Sequence, residues 1–336
     1  MNQFRQDPIT GEWVLIATSR AKGHFKSGGE QMNKLIEGCP FEDPQKSGNE
    51  EPMLIINRGE VVEYKAGIDW TTQVLVNKNP ALTPGLCGPM SKYGPFNTYE
   101  AHGFHELVIT KDHDKSFHNF TTQETVEVLE AYKIRYNEIA RDDCGDYIQI
   151  IHNHGLGAGA TIYHNHSQIF SLPVLPTEVR KSMRGADEYF KNHGKKIYNE
   201  IIDWEKSEAK RIIVENERFI ALCPFVSKEA YEIKIFPKFD SSSFGDILES
   251  DLPQLAEMIN IVMAKLAKAL DNPDYNIVIH TAPVTKENGV NYDYYKWHVE
   301  ILPRMTKVGA LELGISVYVN VIDPDDAAKL LRETQI

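Results

Sequence analysis

The stretch HNHGLGAGATIYHNHSQIFSLP, from His152 to Pro173, sets a run of small residues ahead of two histidines one residue apart and a glutamine two further on. In a β-strand the side chains at i, i+2 and i+4 share one face. The spacing therefore predicts that His164, His166 and Gln168 point together, with Tyr163, Ile169 and Phe170 helping to bury the strand. Histidines so spaced suit a metal, because neutral imidazole is a good zinc ligand, and equally suit one structural and one catalytic ring. Gly155, Gly157 and Gly159, interleaved with Ala158, Ala160 and Thr161, let backbone N–H groups approach an anion. A phosphate held near an imidazole is the expectation. The run is not a Walker loop, since no G-K-[ST] ends it, and not a dinucleotide fingerprint, since a strand pattern follows instead of a helix.

Outward from this stretch a rhythm emerges. His105–Thr110 reads as a strand, Thr121–Arg141 as a capped amphipathic helix (Val126, Leu129, Tyr132, Tyr136, Ile139), and Asp146–Asn153 as a strand. The order recurs in Tyr231–Pro237, Glu249–Leu270, Tyr275–Pro283 and Tyr294–Arg304. Aligned by pattern, His152 matches His280, His166 matches His298, and Gln168 matches Glu300. The reading is an α+β chain with an internal duplication, residues 1–190 forming one half and 191–336 the other. A charged helical connector and a strand are expected between the repeated units.

Composition narrows the function. At 336 residues the chain exceeds one ordinary core, and 42% hydrophobic with 25% charged residues is typical of a globular protein. The net charge of −12, without a basic block, speaks against a broad nucleic-acid surface. An anionic ligand must be held by local groups against that field. No apolar run reaches the roughly 20 residues of a membrane span, and the first residues lack a signal-peptide core, so a cytoplasmic protein with no membrane partner is expected. Cys39, Cys87, Cys144 and Cys223 are widely spaced and read as thiols or a metal ligand, not a disulfide framework.

At these residues the chain resembles the galactose-1-phosphate uridylyltransferase branch of the histidine-triad superfamily. The likeness runs through DPITGEWVLIATSRAKGHF, CPFE (Cys39–Glu42), NKNPAL (Asn77–Leu82), HELVITKDHDKSF, the His152–Pro173 core, IHTAP, KWHVEILPR and the tail LELGISVYVNVIDPDDAAKLLR. It implies tandem histidine-triad-like halves with antiparallel sheets packed with helices, and a homodimer. It implies two-step nucleotidyl transfer, with His166 as nucleophile and Gln168 stabilising charge. A zinc ion is implied at Cys39, Glu42, His113 and His164, with Glu42 standing where many relatives carry a second cysteine. A second metal, iron or zinc, is implied at Glu178, His280, His298 and Glu300; the alternative there is a hydrogen-bonded relic, with Lys296 where His164 stands. Arg20, Asn77, Asn153, Gly157, Gly159 and Thr161 fall at nucleotide-contacting positions, while Gly23 replaces a second arginine and Lys78 an aspartate.

Three readings follow. The first is exchange of a nucleotidyl group between a nucleotide sugar and a sugar 1-phosphate, of the UDP-glucose–hexose-1-phosphate uridylyltransferase type, in carbohydrate and galactose metabolism. The second is an ADP-sugar or dinucleoside-polyphosphate phosphorylase that uses inorganic phosphate; Ile315 and Ser316, where the galactose enzymes' tyrosine and glutamate are expected, lean toward it. The third is a nucleotide- or metal-binding protein without turnover.

Overall fold

The computed structural model describes residues 2–21, 29, 32, 34–85, 88–142, 146–284 and 291–336. The repeated units meet in one eleven-stranded antiparallel sheet. At its centre Tyr147–His154 pairs with Tyr275–His280, so the halves are joined strand to strand. On one side follow His166–Leu172 and His105–Thr110, on the other His298–Pro303 and Ile233–Pro237. The first half extends outward through Thr72–Val76, Leu54–Asn57 and Glu60–Val61, the second through Phe219–Leu222 and Ile212–Glu215. The duplication read from sequence is thus a near-palindrome of strands.

One face is packed by two long helices. Thr122–Ile139 begins at a capping box in which the Thr121 side chain accepts from the Glu124 N–H and Glu124 reaches back. Leu252–Leu270 has a proline in its first turn, where the missing N–H would be unpaired anyway. Val128, Leu129, Tyr132 and Tyr136 from the first, and Leu255, Ile259, Val262 and Leu266 from the second, share a single core with Ile150, Ile169, Ile277, Ile279, Val299 and Ile301. Burial of each such side chain contributes about 1.5–3 kcal/mol. Residues 1–190 and 191–336 therefore share both a sheet and a core.

The opposite face differs between halves. In the first it carries Phe41, Trp70, Leu75, Leu107 and Ile109. In the second, helices Thr177–His193 and Ile197–Glu208 lie near it, with Met183, Tyr198 and Ile202 packed on Leu222, Phe236 and Tyr295. A cavity of about 1250 Å³ lies there, lined by His280, His298 and Glu300 among others. A small separate sheet joins Gln3–Gln6 and Trp13–Ile16 to the tail strand Tyr318–Asn320.

Two expectations are corrected. The strand begins at His166, not before His164, so His164 lies outside the regular strand, although its ring and that of His166 both pack against Phe41. His152 and His280 are not equivalent: His152 pairs with Ser167, on the helix-packed face, whereas His280 pairs with His298, on the other. A one-residue difference in register moves a side chain across the sheet. His152 is accordingly buried among Phe117 and Tyr275, with Nδ1 3.1 Å from the Ser167 hydroxyl.

Candidate active site

The Gly-rich run makes a short 3-10 turn, Leu156–Ala158, between glycines at positive φ, Gly155 at +83° and Gly159 at +85°. Such values favour glycine over any residue with a Cβ. A second constraint was not visible in the sequence. Asp274 from the second half accepts the Gly157 N–H at 2.6 Å, and a Cβ on Gly155 or Gly157 would collide with its carboxylate. The N–H groups of the expected anion cradle are therefore already engaged from Gly157 to Ala160, that of Gly157 by Asp274 and those of Ala158, Gly159 and Ala160 by the carbonyls of Gly155 and Leu156. Thr161 is exposed three residues beyond the turn.

His166 opens the strand that follows, 8% exposed. A carbonyl can only accept, so the 2.9 Å contact between His166 Nδ1 and the His164 carbonyl places the ring proton on Nδ1. Nε2 is left with its lone pair. Burial lowers the ring's pKa below the ordinary histidine range, opposed by that same bond, so the neutral form is favoured. A neutral imidazole with a fixed tautomer and a free Nε2 is chemically a nucleophile or a base.

Gln168 shares the face of His166. Its amide is oriented by His105, a residue that the sequence reading left without a role. The Ala81 backbone N–H donates to His105 Nδ1 at 2.9 Å, which puts the ring proton on Nε2; Nε2–H donates to Gln168 Oε1 at 2.9 Å. With its oxygen engaged, Gln168 has its NH2 as the group left to offer a ligand. Asn77 lies beside the same ring. The signal was available: alternation along HELVIT places His105 with Leu107 and Ile109 on the site face, a polar group at an otherwise apolar stripe.

Cys39, Glu42, His113 and His164 come together, with ligand atoms all within 4.8 Å of one another. Their protons are turned away from the common point. His164 Nε2–H donates to the Thr110 carbonyl at 2.6 Å, leaving Nδ1 facing Cys39 Sγ (3.5 Å) and Glu42 Oε1 (3.2 Å). His113 Nε2–H donates to the Lys34 carbonyl at 3.2 Å, leaving Nδ1 toward Glu42 Oε1 at 2.6 Å. Burial pushes the Cys39 thiol up. Two imidazole lone pairs, a carboxylate and a sulfur converging this way fit a divalent cation, with the backbone carbonyls as the outer partners that orient the rings.

The remaining nucleotide candidates are placed unevenly. Asn153, at the end of its strand, accepts from Asn276 Nδ2 through Oδ1 at 2.6 Å. Arg20 is exposed at the end of the turn Thr18–Arg20, with no described hydrogen bond to the His166 strand. Gly23, Cys87 and Cys144 lie outside the described residues. Cys223 is a free thiol in the core.

In the second half His298 repeats the His166 geometry, Nδ1–H donating to the Lys296 carbonyl at 3.1 Å. Its neighbours differ. His280 Nε2 donates to Glu300 Oε2 at 2.9 Å, and Lys234 Nζ lies 3.1 Å from Glu300 Oε1. Burial alone would raise the Glu300 carboxyl, but Lys234 and His280 hold it well below the usual carboxylate range. Glu178 is exposed on the first turn of its helix. Glu178, His280, His298 and Glu300, the expected second metal set, line one cavity, but among the described residues their ligand atoms are not gathered within 4.8 Å as those of Cys39, Glu42, His113 and His164 are. An ammonium group supplies the local positive charge, and Lys296 Nζ, at the position of His164, donates to the Pro237 carbonyl at 3.2 Å beside Asp240.

Two family models match in tandem: the N-terminal domain of galactose-1-phosphate uridyl transferase over residues 1–176 and its C-terminal domain over residues 182–332. The chain is 32% identical to an ADP-glucose phosphorylase of Arabidopsis thaliana over 99% of its own length and 93% of the relative's. It is 26% identical to a galactose-1-phosphate uridylyltransferase of Thermotoga maritima, covering 100% and 99%. The crystal structure of an Arabidopsis thaliana ADP-glucose phosphorylase with bound ADP-glucose superposes with a TM-score of 0.83 at 29% identity, covering 100% of both chains. Family models spanning both halves, relatives matched end to end and a metal-ligand cluster beside the H-x-H-x-Q strand converge: the chain belongs to the galactose-1-phosphate uridyl transferase family, histidine-triad nucleotidyltransferases acting on nucleotide sugars.

Proposed function

We propose that the chain is a phosphorylase of ADP-sugars, cleaving ADP-glucose or a close analogue with inorganic phosphate. The observation that carries this choice is the end-to-end likeness to an ADP-glucose phosphorylase, higher than that to the uridylyltransferase named above. The tail agrees: Ile315 and Ser316 close the short helix Ala310–Ile315 and bring neither a phenol nor a carboxylate where a hexose would be gripped.

His166 Nε2 attacks the α-phosphorus of the nucleotide sugar. A P–N bond forms, the P–O bond to the bridging oxygen breaks, and glucose 1-phosphate leaves. An oxygen of inorganic phosphate then attacks the same phosphorus, the P–N bond breaks, and ADP departs with His166 regenerated. Phosphate oxygens are weakly basic, so neither step asks for a strong general acid. What the site supplies is orientation and charge stabilisation: the His164 carbonyl holds the Nδ1 proton and supports the cationic intermediate, and Gln168 offers amide donors to the phosphoryl oxygens. Arg20, Asn77, Asn153 and Thr161 are assigned to the nucleotide as polar contacts, and Gly157 and Gly159, whose N–H groups are engaged within the chain, as positions where the backbone lets it approach closely. Zinc is the ion that suits one sulfur, one carboxylate and two imidazoles at Cys39, Glu42, His113 and His164. Bound there, it would clamp the chain two residues before the nucleophile.

The experiment is radiolabel transfer with intact-mass analysis. Labelled phosphate should enter ADP when ADP-glucose is supplied, and the protein alone should gain an adenylyl group from ADP-glucose. Label passing instead from hexose 1-phosphate into a UDP-sugar, with a uridylyl adduct, would replace this reading with the transferase one. No adduct from any nucleotide sugar or dinucleoside polyphosphate would remove the covalent route.

A further inference from the structure

The second half keeps its histidine but lacks the amide beside it, which raises the question of what it contributes. Its strand Tyr275–His280 runs antiparallel to Tyr147–His154, with Asn276 directly opposite Asn153. Around that pair the hydrogen-bond polarity is fully determined. Arg304 can only donate, and its Nε meets Asn276 Oδ1 at 2.6 Å. Arg304 is itself fixed by Glu229, Nη1 to Oε1 at 2.9 Å. Asn276 must therefore present Nδ2 on its other side, where it donates to Asn153 Oδ1 at 2.6 Å and to the Ala158 carbonyl at 2.8 Å. One residue earlier than Tyr275, Asp274 accepts the Gly157 N–H.

We infer that Asn276, locked by Arg304, is a positioning residue that turns the Asn153 carboxamide with its oxygen inward and its NH2 toward the nucleotide, while Asn276 and Asp274 together hold the Gly-rich turn. The inference deepens the proposed function, and it rests on the assignment of Asn153 to the nucleotide. Its chemical content is polarity. An ionised phosphate oxygen only accepts, so a side-chain oxygen at position 153 would repel the phosphate that a side-chain NH2 binds. The charge that fixes this choice belongs to the second half, which makes that half part of the first half's binding site without touching the ligand.

The test turns on two substitutions at one residue. Asn276→Ala removes the donor and leaves Asn153 free to rotate. Asn276→Asp keeps the shape and the Arg304 contact but can only accept, so it enforces the wrong orientation of Asn153. Equilibrium binding of ADP and of UDP is measured, with the tighter of the two as the probe, so the result does not depend on which base the enzyme uses. The Kd should rise about tenfold or more in Asn276→Asp, and by less in Asn276→Ala, with melting temperatures of the folded variants as control. A residue that merely packs would show the reverse order, because alanine removes more contacts than aspartate. Asn276→Ala equal to or worse than Asn276→Asp therefore overturns the inference. Asn153→Ala is measured beside them: a Kd unchanged in that variant shows that Asn153 does not meet the nucleotide, and the relay falls with the assignment.

Discussion

His166 and His298 occupy matching positions on matching strands, and both rings donate Nδ1–H to the carbonyl two residues back. Everything around them differs in sign. Beside His166 stands Gln168, with its oxygen satisfied by His105 and no hydrogen bond from its NH2 among the described residues. Beside His298 stands Glu300, an anion neutralised by Lys234 and His280. Behind the first strand His164 faces a sulfur and a carboxylate that call for a cation; behind the second, Lys296 brings its own. The tautomer of a histidine is thus set by backbone geometry and survives duplication. Under the proposed mechanism, stabilising a phosphoryl transition state falls to two or three side chains, and those are the ones that differ between the halves.

The comparison makes its largest claim about the two rings. His166→Gly should lower turnover by a factor on the order of 10⁴ or more and abolish the nucleotidyl adduct seen by intact-mass analysis, as removal of a nucleophile does. His298→Ala should leave both unchanged. If His298→Ala removes the adduct while His166→Gly retains it, the active and silent halves are the wrong way round.

Much of this contrast was legible in the chain and some was not. Strand HELVIT, the helix begun at Thr121 and the repeat of strand, helix and two strands follow from periodicity and capping, which are local. The zinc-type cluster was placed by resemblance, since no spacing links Cys39 to His113 or His164. Register was not legible: His152 and His280 look alike in a string but lie on opposite faces of the sheet, because facing depends on which partner residue each strand selects. Nor could the sequence show that Asp274 explains two of the glycines, a contact between residues more than a hundred positions apart. His105 was missed for a different reason. A polar residue at the edge of an apolar stripe is usually a satisfied core group, and only the Ala81 N–H on its other nitrogen shows that it orients Gln168.

A smaller effect is expected from making the first half resemble the second at one position. Gln168→Glu keeps length and branching but puts a carboxylate where donors face the phosphoryl oxygens. Turnover should fall by about 10²–10³, the usual consequence of losing a charge-stabilising donor. The adduct should still form slowly with excess nucleotide sugar. Turnover within the wild-type range would mean that Gln168 does not meet the reacting phosphate, and the difference between Gln168 and Glu300 would no longer explain why one half is silent.

The smallest effect on rate, and the sharpest on composition, concerns the cluster. His164 offers a ring nitrogen to the metal-ligand cluster and its carbonyl to His166, so a substitution of the side chain alone separates the two roles. His164→Asn keeps the carbonyl. It should reduce bound metal from about one equivalent per chain to near none on elemental analysis, because metal binding and folding of the site are linked. The melting temperature should drop by roughly 5 °C or more, while the residual turnover stays well above that of His166→Gly. Lys296→Met in the second half should change neither metal content nor turnover, because the ammonium there answers only Asp240 and neighbouring carbonyls. Two metal equivalents in the unaltered protein, with one retained in His164→Asn, would place a second ion in the half that carries Lys234 and Lys296. The proposed exchange of a metal for a lysine would then be wrong, even with the chemistry at His166 intact.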